Sequence, residues 1–138
     1  MIHEQNRRPY LLRPGCHRAL FAGRSGPYSQ GYVHNGVLYT AGQIAINPEV
    51  NDVEATTIEA QTEQAMRNLG AILEKAGLGY ADIVKTTVFV VDLGDFAAVN
   101  AVYERFFASE PPARSCVQVA ALPKGGLVEI ECVAAERE

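Results

Sequence analysis

The sequence predicts an α+β sandwich in which two helices cover one face of a mixed β-sheet. Three observations favour this class. Strand-like and helix-like segments alternate along the chain, the two helical segments each have one apolar face, and the last strands each have one apolar and one charged face. The chain has 138 residues, of which 48% are hydrophobic and 20% are charged. This length and composition are typical of a single globular domain.

The N-terminal third predicts a short strand followed by a β-hairpin. Residues 19–22 are a strand candidate, and residues 31–34 and 37–41 flank Asn35-Gly36, a dipeptide typical of two-residue hairpin turns. Gly42 interrupts the second hairpin strand. A glycine in this place indicates a bulge or a close approach of another group to the backbone.

The first helix is predicted over residues 53–76. Asn51 or Asp52 can cap its N-terminus, and Gly77 supplies its C-terminal stop. One apolar face at helical spacing carries the prediction. Its members are Ile58, Ala65, Leu69, Ile72, Leu73 and Ala76.

A central strand and a second helix follow. Residues 83–91 are rich in β-branched side chains, which favours a strand, and their two apolar faces predict that both sides of the sheet are covered. An oligomer is the simplest way to cover the side without helices. We expect Asp95 to cap the second helix, which Pro111 and Pro112 prevent from continuing. Its buried stripe is predicted to consist of Phe96, Val99, Val102, Tyr103 and Phe106.

The last two strands, residues 113–119 and 127–135, are predicted to form a hairpin. Alternation places Arg114, Cys116 and Gln118 on one face of the first strand. In the second strand, Glu129 and Glu131 share a face that is opposite to an apolar one. Each strand therefore has one face suited to packing under helices and one face with fixed charges, which are of opposite sign in the two strands.

Charge and cysteine usage argue against several classes of function. The formal net charge of -4 does not suit a nucleic-acid partner, and we interpret the basic cluster near the N-terminus as solvated. Its members are Arg7, Arg8, Arg13 and Arg18. Three cysteines without paired spacing favour reduced thiols in a cytoplasmic protein over disulfides or a structural zinc site.

The sequence also argues against a membrane partner and a secretory leader. No apolar run reaches the length of about 18 residues that a membrane span needs, and the first residues lack the apolar core of a signal peptide. We interpret residues 1–18 as an N-terminal extension that is ordered, if at all, by packing on a neighbour. Residues 19–138 are expected to form the single domain.

Arg114 is the sharpest candidate for a functional residue. A guanidinium can hold a carboxylate through two parallel hydrogen bonds. The alternative is an ion pair with Glu129 or Glu131, which pattern alone slightly favours. Glu129 could position or deprotonate a water molecule, or could be a simple ion-pair partner. Cys116 shares the face of Arg114, and an unreactive thiol that lines a pocket is favoured over a nucleophile because no histidine is placed to activate it.

Two further residues have less specific signals. Tyr28 lies in a turn-like stretch, where an aromatic side chain either walls a pocket or anchors the core. Asn100 lies in the second helix among apolar neighbours, and either faces solvent or satisfies buried backbone groups. Lys124-Gly125-Gly126 lacks the spacing of a phosphate-binding loop and is interpreted as a turn. No motif predicts a metal or an organic cofactor.

Several longer motifs resemble the Rid family, also called YjgF. The similarity extends from about Ala19 to Ala135, and its most specific part surrounds Arg114. The motifs are Gly26-Pro-Tyr-Ser-Gln30, Ala41-Gly-Gln43, Lys85-Thr-Thr-Val-Phe-Val90, Pro112-Ala-Arg-Ser-Cys-Val117, Leu122-Pro-Lys124 and Val128-Glu-Ile-Glu131.

This resemblance implies a chorismate-mutase-like fold and a homotrimer whose clefts between subunits hold the ligand. It implies hydrolysis of 2-imino acids, such as 2-iminopropanoate or 2-iminobutanoate, to 2-keto acids and ammonia, without a cofactor. Arg114 matches the residue that binds the carboxylate, and Glu129 matches the one associated with the water. The positions that match pocket or family residues are Tyr28, Gly42, Cys116 and Asn100.

Two departures bear on the substrate. Ala41 stands where many relatives of this family have Ser. Residues 108–112, which are expected to form the rim of the pocket, are a shorter segment than in several relatives. Four alternatives stay open: a non-catalytic trimer that binds a 2-keto acid or regulates, a deaminase of other enamines, a ribonuclease or translation inhibitor, and a thiol-dependent holdase chaperone.

Overall fold

The computed structural model describes residues 10–23 and 26–137, which form a mixed sheet and two helices. The strands in chain order are β1 (His17–Leu20), β2 (Gly31–His34), β3 (Val37–Thr40), β4 (Ile46–Asn47), β5 (Asp52–Val53), β6 (Ile83–Val90), β7 (Ala113–Gln118) and β8 (Val128–Ala135). The helices are α1 (Ile58–Lys75) and α2 (Phe96–Tyr103).

Six strands form the main sheet in the order β1-β2-β3-β8-β6-β7. All neighbours in it are antiparallel except β6 and β7, which are parallel. A parallel pair needs a crossover connection, and α2 provides it. Residues of both helices share one apolar core with β6 and β8. The predicted α+β fold, with two helices on one face of a mixed sheet, is therefore confirmed.

The predicted hairpin between the last two strands is wrong. β6 lies between β7 and β8, pairing in parallel with the first and antiparallel with the second. Alternation of apolar residues identifies each strand and its faces, but it does not identify the neighbour of a strand. The long antiparallel ladder between β6 and β8, which runs from Ile83↔Ala134 to Val90↔Val128, takes the place that β7 was predicted to occupy.

Residues at the N-terminal side of the sheet pack on their own chain. β1 begins at His17, two residues before the predicted strand, and the side chain of Leu12 is 1% exposed in the core. The part of the predicted extension that the structure describes is therefore ordered without a neighbour. Arg13 and Arg18 are exposed, and Arg7 and Arg8 lie outside the described residues.

The β2–β3 turn has the predicted geometry. Asn35 and Gly36 have φ values of 49° and 80°. Two consecutive positive φ angles are what the favoured two-residue hairpin turn requires. This part of the hairpin prediction is confirmed, although β3 ends at Thr40 rather than at residue 41.

α1 begins later than predicted. Asp52 and Val53 belong to a small ladder with β4, and Thr57 caps the helix by accepting a hydrogen bond from the backbone N–H of Ala60 at 3.2 Å. The predicted caps Asn51 and Asp52 are therefore wrong. The C-terminal stop is confirmed, because α1 ends at Lys75 and Gly77 has a φ of 77°.

α2 is short and starts where it was predicted. Asp95 occupies the cap position but makes no side-chain capping bond, whereas the side chain of Asp92 accepts from the backbone N–H of Gly94 at 2.7 Å. Phe96 is 41% exposed, so its assignment to the buried stripe is wrong. Its position at the start of the helix instead places it beside Arg114.

The two faces of the main sheet differ in chemistry. Beneath the helices lie fully buried apolar side chains, namely Val33, Leu38, Val88, Val90, Val128 and Ile130. We call the other side the open face. On it, Tyr32, Tyr39 and Val117 are 44%, 48% and 43% exposed, as large hydrophobic side chains on three different strands. The chain by itself therefore leaves this face partly uncovered.

Candidate active site

Arg114 lies on the edge strand β7, and α2 holds its guanidinium in place. Arg114 Nη1 donates a hydrogen bond of 2.6 Å to Asn100 Oδ1. The guanidinium carbon lies 5.3 Å from the centre of the Phe96 ring and 5.0 Å from that of Tyr103, within the range of cation–π attraction. A guanidinium has five N–H donors. The bond to Asn100 therefore leaves donors with which Arg114 can hold a carboxylate.

Tyr103 is fixed from the core side. Its hydroxyl and Thr86 Oγ1 form a buried hydrogen bond of 2.7 Å. Burial raises the pKa of Tyr103, while the Thr86 hydrogen bond and the charge of Arg114 act in the opposite direction. The ring against which Arg114 rests is thus a neutral, anchored group.

Cys116 lies two residues beyond Arg114 on the same side of β7 and is half-buried. Burial raises the pKa of its thiol, and the charge of Arg114 only partly opposes this effect. A thiol with a raised pKa is protonated at neutral pH and is a weak nucleophile. This supports the interpretation of Cys116 as a lining residue.

Glu129 packs directly against the backbone of Gly42. A Cβ atom at position 42 would lie 2.6 Å from Glu129 Cδ, so the carboxylate occupies space that only glycine leaves open. This is the close backbone approach that the sequence predicted at Gly42. Burial raises the pKa of the Glu129 carboxyl, and the negative charge of Glu131 raises it further.

Tyr28, Gly42 and Glu129 line one cavity of about 220 Å³, which we call the glutamate pocket. Three of the predicted site residues therefore come together. The remaining lining residues are Gln30, Gln43, Ile44, Ile46, Pro123 and Lys124. The pocket combines one acid, one exposed cation and an apolar wall, which suits a small, charged organic ligand.

Arg114 and Glu129 lie on opposite faces of the sheet. Arg114 is paired with Thr86, which is buried under the helices, whereas Glu129 is paired with Phe89 on the open face. An ion pair of Arg114 with Glu129 or Glu131 within one chain is therefore wrong. The sequence predicted that the apolar face of β7 packs under the helices and that its charged face lies opposite. This orientation is wrong, because the face that carries Arg114 packs against α2, and for this reason the charged faces of β7 and β8 lie on opposite sides of the sheet.

The predicted residues thus form two half-sites. The arginine half-site consists of Arg114, Asn100 and Cys116, and the glutamate pocket contains Tyr28, Gly42 and Glu129. Residues 108–112 lie beside the first half-site, because Ala108 and Pro111 line a cavity of about 530 Å³ that also includes Tyr103.

Sequence reasoning missed three features of these half-sites. Tyr103 was correctly assigned to the buried stripe and Phe96 was not, but the contact of both rings with Arg114 was missed. Their spacing with Asn100 places all three on one side of α2, and this was the available signal. Lys124 was interpreted only as a turn residue. It does adopt a left-handed φ of 55° in a turn, and it also lines the glutamate pocket.

The described residues contain neither a cluster of metal ligands nor a membrane-spanning helix. Within residues 10–23 and 26–137, no three His, Cys, Asp or Glu side chains are grouped so that they could hold a metal ion. In the same ranges, no helix has the length and hydrophobicity needed to span a membrane.

Residues 21–136 match the family model described as endoribonuclease L-PSP. A 2-iminobutanoate/2-iminopropanoate deaminase from Escherichia coli K12 is 52% identical over 115 residues, which are 81% of this chain and 89% of that protein. A putative regulator AldR from Lactococcus lactis is 49% identical over 109 residues, or 79% and 86% of the two chains.

The fold is likewise similar to that of a solved relative. The crystal structure of the YjgF gene product from Escherichia coli aligns with a TM-score of 0.79 and 50% identity, over 84% of this chain and 93% of that one. This chain belongs to the endoribonuclease L-PSP family, the group that the sequence motifs identified as Rid or YjgF.

Proposed function

We propose that this protein is a hydrolytic deaminase that converts small 2-imino acids and their enamine forms to 2-keto acids and ammonia. The observation that carries the proposal is the Arg114 guanidinium, which α2 orients while donors remain for a carboxylate. The similarity to a deaminase of 2-iminobutanoate and 2-iminopropanoate supports the same substrate class.

Arg114 would anchor the carboxylate of the imino acid. A bidentate contact fixes both the position and the orientation of a planar anion, so the adjacent C=N carbon is held at one place in the site. Because an imine is already electrophilic, positioning supplies most of what the reaction needs.

Glu129 would act as general base and general acid for the attacking water. A carboxyl with a raised pKa is closer to balance between its two protonation states at neutral pH, so it can take a proton from water and return it. As the water oxygen bonds to the C=N carbon, Glu129 takes one proton from the water and the π electrons of the C=N bond move to nitrogen. Glu129 returns that proton to nitrogen, which gives the carbinolamine. Glu129 then takes the hydroxyl proton and returns it to the amino group as the C–N bond breaks, so ammonia leaves and the ketone remains.

The apolar wall of the glutamate pocket favours a short aliphatic side chain. Ile44 and Ile46 line it together with Pro123, and the whole cavity measures about 220 Å³. Ala41 has no hydroxyl that could form a hydrogen bond next to this pocket. We therefore expect the pocket to select the substrate side chain by its size and shape. This supports 2-iminopropanoate and 2-iminobutanoate over bulkier imino acids.

The complete site would form between two copies of the chain in a homotrimer. Arg114 and Glu129 cannot meet within one chain, and the partly uncovered open face offers a surface for a second copy. Arg114 of one subunit would then enter the cleft that contains Glu129 of the next.

The first experiment is an imine hydrolysis assay in which an amino-acid oxidase or dehydratase supplies 2-iminopropanoate. We expect Arg114→Ala and Arg114→Lys to lower the rate at least a hundredfold, because lysine lacks the bidentate fork. Arg67→Ala is the matched control, since Arg67 is an exposed arginine on α1 paired with Glu63. Full activity of Arg114→Ala would overturn the proposal.

A complementation experiment tests the shared site. Arg114→Ala and Glu129→Gln are each expected to be inactive, but a mixed trimer places some intact Arg114 beside some intact Glu129. Random mixing of the two variants should restore about a quarter of the wild-type activity per site. If both residues acted within one chain, mixing would restore none.

A regulatory, non-catalytic role is the second candidate, and the similarity to a putative regulator from Lactococcus lactis favours it. Such a protein would bind a 2-keto acid at Arg114 without turnover. Calorimetric binding of the keto acid together with no acceleration of imine hydrolysis would support this role.

A ribonuclease role follows from the description of the family model alone. The formal charge of -4 opposes binding to a polyanion. RNA cleavage by the purified protein that is lost in Arg114→Ala would favour it over the deaminase.

A further inference from the structure

Two histidines meet on neighbouring strands at the sheet edge, far along the sheet from β7. His17 on β1 and His34 on β2 are directly opposed in the antiparallel ladder, and both are exposed. Their Nδ1 atoms lie 2.8 Å apart. The ring centroids are 4.3 Å apart and the ring planes are inclined by 43°.

This ring geometry differs from a head-on hydrogen bond. Rings that point directly at each other across an Nδ1–Nδ1 distance of 2.8 Å would have centroids further apart than 4.3 Å. The lone-pair directions of the two nitrogens are therefore inclined to the line that joins them. Two ligands at right angles around a metal, on bonds of about 2.0–2.1 Å, lie about 2.8–3.0 Å apart.

Within the part of the chain that the structure describes, no strong hydrogen bond to its Nε2 atom holds His34 in one tautomer. Asn35 Oδ1 accepts from the backbone N–H of Gly15 at 3.0 Å, which orients its amide nitrogen toward His34 Nε2. That contact is 3.5 Å long and too weak to fix the His34 tautomer. A neutral imidazole that carries its proton on Nε2 presents the lone pair of Nδ1 to a metal.

We propose that His17 and His34 form a binding site for a divalent first-row transition metal whose ligands lie at right angles, such as Ni²⁺ or Cu²⁺, through their two Nδ1 atoms. Imidazole nitrogen is a preferred ligand of these ions. Among the described residues, no third His, Cys, Asp or Glu side chain joins the pair, so water fills the other positions and the ion exchanges readily. The metal links β1 to β2 and takes no part in imine hydrolysis.

The test is a calorimetric titration of the full-length protein with Ni²⁺. His3 is the only other histidine in the chain, and His3→Asn serves as the background so that the pair supplies the only imidazoles. We expect one Ni²⁺ per chain, and at least tenfold weaker binding after either His17→Asn or His34→Asn.

Two controls keep the result interpretable. Cys16→Ser tests the neighbouring thiol and should leave the affinity unchanged, and a thermal melt without metal should show that each exposed histidine variant is folded. Unchanged Ni²⁺ affinity in either histidine variant, or a loss caused by Cys16→Ser alone, would overturn the proposal.

Discussion

Gly42 and Glu129 are in direct contact, and the absence of a side chain at Gly42 makes room for the Glu129 carboxylate. The carboxylate of Glu129 occupies the space that a Cβ atom at position 42 would take. This explains why a glycine interrupts an otherwise regular strand pattern. The backbone φ at Gly42 is not among the positive values, so the requirement is for space and not for a left-handed conformation.

The first prediction concerns Gly42→Ala. The added methyl group meets the far end of a flexible side chain, so Glu129 can turn away at a modest cost in the free energy of unfolding, of about 1 kcal/mol. The turned carboxylate no longer faces the pocket, and kcat for 2-iminopropanoate should fall at least tenfold. Gly79→Ala is the matched control, because a Cβ there meets nothing within 4 Å. Unaltered kcat in Gly42→Ala would contradict the role of this contact.

The second prediction concerns the pKa of Glu129. Burial and then the charge of Glu131 raise it from the ordinary value of 4.5, so Glu131→Gln should lower it. The folded state holds this proton more tightly than the unfolded state, and the contribution of Glu129 to stability therefore falls as pH rises through the raised pKa. A ¹³C NMR titration of the Glu129 carboxyl measures the shift directly. Glu63→Gln, which removes an exposed acid on α1, should leave it unchanged.

At the scale of the element, α2 is a short helix that serves two purposes. Val99 and Val102 are buried, while Phe96, Asn100 and Tyr103 contact Arg114. A helix can do both because residues three or four positions apart share a side. Arg114 therefore depends on an element that is also part of the core.

The third prediction concerns Asn100→Ala. The guanidinium keeps its two aromatic neighbours but loses the acceptor that sets its rotation, so KM for the imino acid should rise about tenfold, the equivalent of roughly 1.4 kcal/mol. The melting temperature should change little, since Asn100 is only half-buried. Gln64→Ala removes a half-buried amide from α1 and is the control. An unchanged KM together with a lower melting temperature would mark Asn100 as merely structural.

The sequence predicted most elements but not all of their neighbours. Periodicity located α1 and β6 and showed which side of β8 is apolar, because burial imposes a repeat on each element separately. The pairing of β6 with both β7 and β8 leaves no repeat in the sequence from which the neighbours of each strand could be predicted. The caps of α1 failed for a related reason, since Asp52 is used by a ladder with Asn47 that only the folded chain reveals.

The candidate site was predicted residue by residue rather than as an arrangement. Tyr28, Gly42 and Glu129 were all selected from motifs, and they do line one pocket. Their separation from Arg114 could not be predicted, because it depends on which face each strand presents after pairing. The reversed orientation of β7 was enough to suggest an ion pair that does not exist within the chain.

For the whole molecule, the open face is the feature that points to an assembly of several chains. Tyr32, Tyr39 and Val117 place large apolar surface there, on the side away from the helices. Apolar surface spread over several strands is typical of a face that is covered in an assembly. The proposed trimer would bury it and bring the two half-sites together.

The fourth prediction concerns Val117→Glu. A charge on the open face should disrupt the assembly, so that light scattering reports 15.0 kDa instead of three times that mass. Imine hydrolysis should be lost with it, while the far-UV circular dichroism is retained. Leu93→Glu is the control, because Leu93 is 46% exposed in the turn before α2. A wild-type chain that is already a 15.0 kDa monomer would contradict the proposed assembly.

The position of β8 has a consequence for biosynthesis. It leaves the ribosome after the other five strands of the main sheet, yet it lies between β3 and β6 in the finished sheet. Until it is made, β1–β3 and β6–β7 are two separate ladders, each with an unpaired edge. Unpaired strand edges are sites of aggregation during folding. A nascent chain that stalls before residue 128 therefore exposes both edges at once, and termination at that point should direct the product to chaperones or proteases even though five of the six strands of the sheet are complete.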